Sequence, residues 1–133
     1  MTMDAMAPAA ESAREPEDLA RLFIARANAG DVEGLVALYE PQAVLAAGPV
    51  VAVGHDAIRR FYADLLARRS DFPAVEALPV LQAGDLALTA ARTGKGALSV
   101  ETARRQPDGT WRWVIDQLKI KLPAGAEAAS PRP

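Results

Sequence analysis

The segment GTWRWVIDQLKI, residues 109–120, decides the fold because it is a long apolar strand with two polar side chains at its centre. Successive side chains of a strand point to opposite faces of the sheet, so Asp116 and Gln117 face different sides. Alternate positions share a face, and Asp116 therefore goes with Val114 and Leu118, whereas Gln117 goes with the two tryptophans. The main question that the sequence poses is which of these two sets faces the interior.

The region upstream of this strand also has β character, beginning near Phe72. The segments DLALTAART (85–93) and ALSVETARR (97–105) flank a turn at residues 94–96 and predict a β-hairpin. Another strand is predicted over residues 75–81, where Pro79 favours a sheet edge or a bulge. Together with residues 109–120, these strands predict an antiparallel meander.

Three segments in the first half of the chain have apolar residues at helical spacing. They run from Pro16 to Gly30, over VEGLVALYE (32–40) and over AIRRFYADLLARR (57–69). Two short apolar strands around Gly48 and Pro49 lie between the second and third helices. Helices followed by strands predict an α+β fold, in which three N-terminal helices pack on a strongly curved antiparallel sheet.

A chain of 133 residues is most simply one domain, and 50% hydrophobic with 24% charged residues is typical of a globular protein. Residues 15–122 are predicted to be the folded unit. Residues 1–14 and 123–133 lack apolar periodicity, so both ends are predicted to be disordered.

The composition argues against several kinds of partner and site. A net charge of -2 gives no electrostatic attraction to nucleic acid or to an anionic membrane. There is no cysteine, and a single histidine, His55, cannot form a multi-histidine metal centre, so no metal or other cofactor is expected. No secretory signal pattern and no membrane-spanning apolar segment is visible, which makes a cytoplasmic protein the expectation.

Three segments resemble the nuclear-transport-factor-2-like superfamily, in its SnoaL-like and ketosteroid-isomerase-like branches. They are NAGDVEGLVALYEPQAVL (28–45), GHDAIRRFY (54–62) and RRQPDGTWRWVIDQ (104–117). The resemblance implies a cone in which the bent sheet wraps an internal pocket that the helices close, and often a homodimer through the outer sheet face. This fold hosts isomerases, cyclases, epoxide hydrolases, dehydratases and non-catalytic binding modules, so the resemblance alone does not choose among them.

The resemblance can be tested against ketosteroid isomerases, which hold an oxyanion with a tyrosine and a protonated acid and move the proton with an aspartate. In this alignment the tyrosine position is Phe23, and the aspartate position is Ala47 or Leu45. Steroid isomerisation by that mechanism is therefore not expected. Tyr39 and Tyr62 do fall where those enzymes keep two supporting tyrosines.

The alignment also places Glu101 at the position of the oxyanion acid, and a two-residue turn at residues 94–95 agrees with it. That turn would pair Leu88 with Glu101 and put both, together with Arg92, on the inner face. A three-residue turn would instead send Glu101 to solvent. On the last strand, the alignment assigns the pocket-facing positions to Val114, Asp116 and Leu118.

Asp116 and Glu101 are therefore the predicted catalytic residues. A carboxylate in an apolar pocket has its pKa raised by desolvation, which suits a general acid or base near pH 7. The competing interpretation is that Arg92 or Arg112 neutralises them and makes the pair structural. The predicted residues for binding a small hydrophobic molecule are Phe23, Tyr39, Tyr62, Leu88, Arg92, Val114 and Leu118.

The opposite face of the last strand carries Trp111, Trp113 and Ile115, which are too apolar to leave in water. A homodimer through this outer face is the expectation. If the tryptophans instead line the pocket, Gln117 becomes the ligand-binding amide and Asp116 a surface residue. The function expected from the sequence is cofactor-independent acid–base chemistry on a small hydrophobic molecule, or non-catalytic binding of one.

Overall fold

The computed structural model describes residues 10–93 and 96–121. Its helices are α1 (Asp18–Asn28), α2 (Val32–Val36) and α3 (Gly54–Arg68). Asp31 caps α2, because its side chain accepts a hydrogen bond from the Gly34 N–H. Among the described residues, no helix combines the length and apolar character that crossing a bilayer requires.

Seven strands form one mixed sheet. They are β1 (Tyr39–Ala47), β2 (Val50–Val53), β3 (Glu76–Ala77), β4 (Leu81–Ala83), β5 (Leu86–Thr93), β6 (Ala97–Arg105) and β7 (Trp111–Lys121). Their order is β2-β1-β7-β6-β5-β3, with β4 also paired to β5. The predicted α+β class with three helices on a sheet is confirmed, although the sheet is not wholly antiparallel, because β1 and β7 run parallel.

The core lies between the helices and the inner face of this sheet. Leu19, Leu35 and Ile58 come from the three helices, are fully buried, and pack with buried residues of the strands. Ala13 is also buried, and its carbonyl accepts a hydrogen bond from the Trp111 N–H. The packed unit thus begins upstream of residue 15, while residues 1–9 and the predicted tail at 123–133 lie outside the described residues.

The second helix is shorter than its sequence pattern predicts. It ends at Val36, and Tyr39 begins β1 instead of continuing the helical stripe. Tyr39 pairs with Trp113, and the Trp113 N–H donates to the Leu38 carbonyl over 2.8 Å. Pairing with the last strand therefore overrides helix propensity here, aided by Pro41, which disfavours a helical conformation at the residue before it.

The β5–β6 hairpin contains one more turn residue than the sequence analysis favours. Thr93 pairs with Ala97, so three residues connect the strands, of which Gly94 and Lys95 lie outside the described residues. The extra turn residue reverses which side chains of β5 face inward, and it leaves the inner face of β6 as predicted. Leu88 and Arg92 therefore lie on the outer face, contrary to prediction, while Glu101 stays buried.

A β-bulge in β7 changes which of its side chains face inward. Ala103 of β6 pairs with Trp113, but Thr102 pairs with Ile115, which leaves Val114 as an extra residue. The bulge reverses the alternation, so Trp113 and Asp116 both point into the protein.

The prediction that Trp111 and Trp113 form an outer dimer surface is therefore wrong, since each is only 4% exposed. Ile115 does lie outside, with 53% of its surface exposed. The extra residue that puts the tryptophans into the core is the reason for the difference, because strict alternation would have put them on the face of Ile115.

Candidate functional site

A cavity of about 550 Å³ lies between α1, the C-terminal end of α3, residues 72–80 and the inner face of the sheet. The larger apolar side chains on its wall include Phe23, Ile24, Leu65, Phe72, Trp113 and Leu118. The buried polar side chains of the described residues all lie on this wall; they are Thr89, Ser99, Glu101 and Asp116. A mostly apolar cavity with a few convergent polar groups is the usual form of a small-molecule site.

Strand pairing brings the two carboxyl groups together. Thr89 of β5 pairs with Glu101 of β6, and Glu101 pairs with Asp116 of β7. Leu45 of β1 continues this inner row beyond Asp116 and is fully buried. The row therefore holds two adjacent carboxyl groups, and the apolar Leu45 occupies a β1 position where the isomerase alignment would require an acid.

Asp116 is held by a chain of two tyrosines. The Tyr39 hydroxyl donates to Oδ2 of Asp116 over 2.5 Å and lies 2.6 Å from the Tyr62 hydroxyl. His55 supports this arrangement, because its Nε2 lies 2.8 Å from the Tyr39 carbonyl oxygen. Oδ1 of Asp116 is buried and has no hydrogen-bond partner among the described residues. One face of the carboxyl group is therefore fixed, and the other is left unpartnered.

The surroundings of Asp116 favour its protonated form. Burial raises the pKa of Asp116 well above its usual range, and the neighbouring Glu101 carboxylate raises it further. The Tyr39 hydrogen bond opposes both effects. Both effects favour the protonated form of Asp116, which can donate a hydrogen bond from the oxygen that Tyr39 does not occupy.

Glu101 occupies a more polar environment. The Thr89 hydroxyl donates to its Oε1 over 2.5 Å, and the Trp113 indole N–H donates to the Thr89 oxygen over 3.2 Å. Burial raises the pKa of Glu101, but hydrogen bonds from Thr89 and Ser99 lower it. Two hydroxyl donors therefore favour the ionised form of Glu101, whereas Asp116 receives only the Tyr39 hydrogen bond.

The described residues provide no cation that neutralises this pair. Arg92 lies outside the cavity, 3.4 Å from Glu76, and Arg112 does not line the cavity wall. The interpretation of Asp116 and Glu101 as an arginine-paired structural site therefore loses its basis. In residues 10–93 and 96–121, no three or more histidine, aspartate or glutamate side chains are grouped so as to hold a metal ion.

The predicted binding residues have different positions. Phe23 and Leu118 line the cavity, and Phe23 packs edge-on against Tyr62 and Trp113. Tyr39 and Tyr62 are fully buried behind Asp116 and do not line the cavity, because both hydroxyls are used within the core. Val114, the bulge residue, is also absent from the wall.

Among the wall residues, sequence reasoning missed Thr89 and Lys119, and it placed Trp113 there only in its alternative interpretation of the last strand. Thr89 and Trp113 face the cavity because of the hairpin register and the bulge, neither of which alternation alone reveals. Lys119 lines the cavity with a positive φ of 57°, next to a second irregularity of β7. The length of the turn at residues 94–96 is the relevant signal in the sequence. A three-residue connection reverses the faces of one strand of the hairpin, and in the structure that strand is β5 and not β6.

Comparison with known proteins identifies the fold family. Residues 20–122 match the SnoaL-like domain family. The structure is similar to that of a ketosteroid isomerase-like protein from Erwinia carotovora atroseptica SCRI1043, with a TM-score of 0.67, 21% identity, and 80% of this chain and 94% of that chain covered.

It is also similar to a nuclear-transport-factor-2-like protein with a cystatin-like fold from Novosphingobium aromaticivorans, with a TM-score of 0.61, 24% identity and 86% of each chain covered. A third similar structure is a Mycobacterium tuberculosis protein of unknown function, with a TM-score of 0.66, 18% identity, and 86% and 75% of the two chains covered.

No curated protein matches the chain. Structural similarity at these levels of sequence identity establishes the fold, and the chemistry has to be argued from the residues of the site. The family match covers most of the sequence and agrees with the arrangement of three helices on a mixed sheet. The chain belongs to the SnoaL-like domain family of the nuclear-transport-factor-2-like fold, which includes ligand-binding proteins and cofactor-independent enzymes.

Proposed function

We propose that this protein binds a small hydrophobic molecule in the cavity and transfers protons on it by cofactor-independent acid–base catalysis. The proposal depends on one observation above all: two adjacent carboxyl groups, Asp116 and Glu101, lie on a mostly apolar wall, and neither forms an ion pair in the described part of the chain. Two such groups whose pKa values are raised to different extents can take opposite roles, one as acid and one as base.

Asp116 is the proposed acid. Its Oδ1 has no hydrogen-bond partner in the part of the chain that the structure describes, so a proton on that oxygen can be donated to a carbonyl or similar oxygen of the ligand. Tyr39 fixes the other carboxyl oxygen, which keeps the donor oriented towards the cavity wall. A preorganised donor of this kind stabilises the negative charge that develops on an oxygen during the reaction.

Glu101 is the proposed base. It removes a proton from the carbon next to the ligand carbonyl, while Asp116 protonates the carbonyl oxygen to give an enol. The C–H bond breaks, its electron pair forms the C=C bond of the enol, and the C=O π pair takes the proton of Asp116. With a β,γ-unsaturated ketone the product is a dienol, which takes the proton from Glu101 at its γ carbon while the O–H proton returns to Asp116, and this completes an isomerisation.

Dehydration would use the same pair, with Glu101 removing a proton and Asp116 protonating the hydroxyl that leaves as water. Cyclisation would use the enol carbon to attack a second carbonyl carbon of the ligand, whose oxygen takes a proton, and hydrolysis would also consume a water molecule as the nucleophile.

Deuterium exchange tests this proposal. 2-Tetralone is a suitable probe because it is small, hydrophobic and exchanges protons next to its carbonyl, so the rate in D₂O can be followed by NMR. The protein should accelerate exchange above the buffer rate, and Asp116→Asn or Glu101→Gln should reduce the acceleration by about 100-fold. Asp64→Asn is the matched control, since Asp64 is exposed on α3 and away from the cavity.

Binding is measured separately through the Trp113 indole N–H signal, because Trp113 lines the cavity. Binding of 2-tetralone without any acceleration in the wild type would favour the alternative, a non-catalytic binding module. The buried Leu45 in place of a β1 acid is the observation that supports this alternative. Equal acceleration by the wild type and both variants would remove Asp116 and Glu101 from the mechanism.

A further inference from the structure

The backbone at Lys119 is unusual. Its φ of 57° makes it the only non-glycine residue with a positive φ among the described residues. Lysine rarely adopts this left-handed conformation, which is sterically unfavourable for a side chain with a Cβ atom. Surrounding structure must hold it there, and such residues are concentrated at functional sites.

The cause is a second bulge near the end of β7. On β6, Leu98 pairs with Ile120 and Val100 with Gln117, so the single residue Ser99 lies opposite both Leu118 and Lys119. Strict alternation after Asp116 would turn Leu118 inward and Lys119 outward. Both residues instead line the cavity, so the bulge adds a cation to a wall that is otherwise mostly apolar.

A second cation lies on the same wall. Arg69 follows α3, and its guanidinium carbon lies 4.4 Å from the centre of the Phe72 ring. Arg69 and Lys119 are both exposed, whereas Asp116 and Glu101 are buried, so the cations mark the solvent-facing end of the cavity. Glu17 is the one acidic residue that lines this end.

In the described structure, no acidic side chain neutralises either of these two cations. Among the described residues, neither Arg69 nor Lys119 forms an ion pair with an acidic side chain. The Arg69 Nε–H donates to the backbone carbonyl of Asp71, which leaves the rest of its guanidinium group available. The cavity thus has carboxyl groups at its buried end and an excess of positive charge at its exposed end.

We infer that the natural ligand is a hydrophobic carboxylate, whose neutral oxygen lies against Asp116 and whose carboxylate lies between Lys119 and Arg69. This inference rests on the proposed function, since it specifies the ligand class of the same cavity. The charges also favour one direction of binding, because a carboxylate placed at the buried end would lie beside Asp116 and Glu101, where burial disfavours negative charge. The strained backbone conformation of Lys119 places its cation where an elongated ligand would extend beyond the apolar part of the wall.

Matched probes test the inference. 6-Acetyl-2-naphthoate has a ketone at one end and a carboxylate at the other, and its methyl ester has the same ring and ketone without the charge. The wild type should bind the acid about fivefold more tightly than the ester at low salt, and 0.5 M NaCl should reduce the preference. Lys119→Gln should abolish most of the preference, Lys119→Arg should retain it, and Arg60→Gln, on an exposed part of α3, should leave it unchanged.

Lys119→Gly separates binding from backbone strain. Glycine accepts the left-handed conformation, so its Tm should not fall below that of the wild type, yet the preference for the acid should disappear. Equal affinity of the wild type for acid and ester would overturn the inference and leave the proposed function intact. Failure of both probes to perturb the Trp113 indole signal would overturn both.

Discussion

Glu101 and Asp116 lie directly opposite each other on adjacent antiparallel strands, and both side chains point into the cavity. Side chains in such pairs have Cβ atoms about 5 Å apart, so two ionised carboxylates would repel each other strongly. The repulsion and the burial both oppose ionisation of Asp116. This one relationship determines the charge state of the site and several measurable properties of the protein.

The free energy of unfolding should fall as pH rises above the unfolded pKa of Asp116. The folded pKa of Asp116 is raised, so its contribution is complete below the unfolded pKa of about 3.9 and is lost as pH rises through the folded pKa. The slope is up to about 1.4 kcal/mol per pH unit for each proton that only the folded state holds. Urea unfolding between pH 5 and pH 9 measures it.

Asp116→Asn should flatten this pH dependence, because asparagine does not titrate. Some slope remains from Glu101, whose pKa burial also raises. Asp64→Asn, at an exposed position on α3, serves as the control and should keep the wild-type slope. A wild-type stability that is flat from pH 5 to pH 9 would contradict a protonated Asp116.

Tyr39→Phe should cost more stability than Tyr62→Phe. Removing the Tyr39 hydroxyl leaves both oxygens of Asp116 and the Tyr62 hydroxyl without partners, at a cost of about 1–3 kcal/mol. Tyr62→Phe removes only the contact with Tyr39, at about 1 kcal/mol. Urea unfolding at pH 7 compares them, and the double variant should be little worse than Tyr39→Phe. A larger loss of stability for Tyr62→Phe than for Tyr39→Phe would mean that the Tyr62 hydroxyl makes the more important hydrogen bond.

Thr89→Val should raise the pKa of Glu101. The Thr89 hydroxyl donates to Oε1 of Glu101 and lowers its pKa, and valine has nearly the same shape without the donor. A titration of the Glu101 carboxyl carbon by ¹³C NMR measures the change. Thr102→Val is the matched control, because Thr102 lies beside Glu101 on β6 but faces outward; an equal shift there would exclude a direct effect of the Thr89 hydrogen bond.

The homodimer expected from the sequence stays a prediction, but the residues available for it have changed. Trp111 and Trp113 are taken up by the core, whereas Ile115 and Leu88 are exposed on the outer face of the sheet. Ile115→Lys should convert a dimer to a monomer in light scattering after gel filtration, because an interface core tolerates charge poorly. Ala63→Lys, on an exposed face of α3, should have no effect. A wild type that is monomeric at every concentration would refute the prediction.

The three helices and the strands that follow them were predictable because their signals are local, although the one strand predicted over residues 75–81 is instead β3 and the start of β4. Leu19, Leu22 and Phe23 recur at helical spacing, and glycine-containing turns separate the strands of the second half. The α+β class follows from that order, and the structure agrees. The parallel pairing of β1 with β7 joins residues far apart in the chain, and local patterns carry no information about it.

The site was predicted unevenly for a physical reason. The inward position of Asp116 and Glu101 came from the family alignment, and the buried positions of both agree with it. The faces of Leu88, Arg92 and Trp113 depended on counting alternate residues, and one extra residue in a turn or bulge reverses the count. A strand pattern therefore fixes which residues share a face only between such irregularities.

The extra residue, Val114, divides β7 into two segments. In each segment, the alternation of inward and outward side chains is set separately. The first segment gives its tryptophans to the core, and the second gives Asp116 and Leu118 to the cavity. Substitution of Asp116 or Leu118 can therefore change the chemistry of the protein without disturbing how the first segment packs. Length is the property that cannot vary, because deleting one residue there would expose either the tryptophans or the acid. This strand should tolerate evolution by replacement and resist evolution by insertion or deletion.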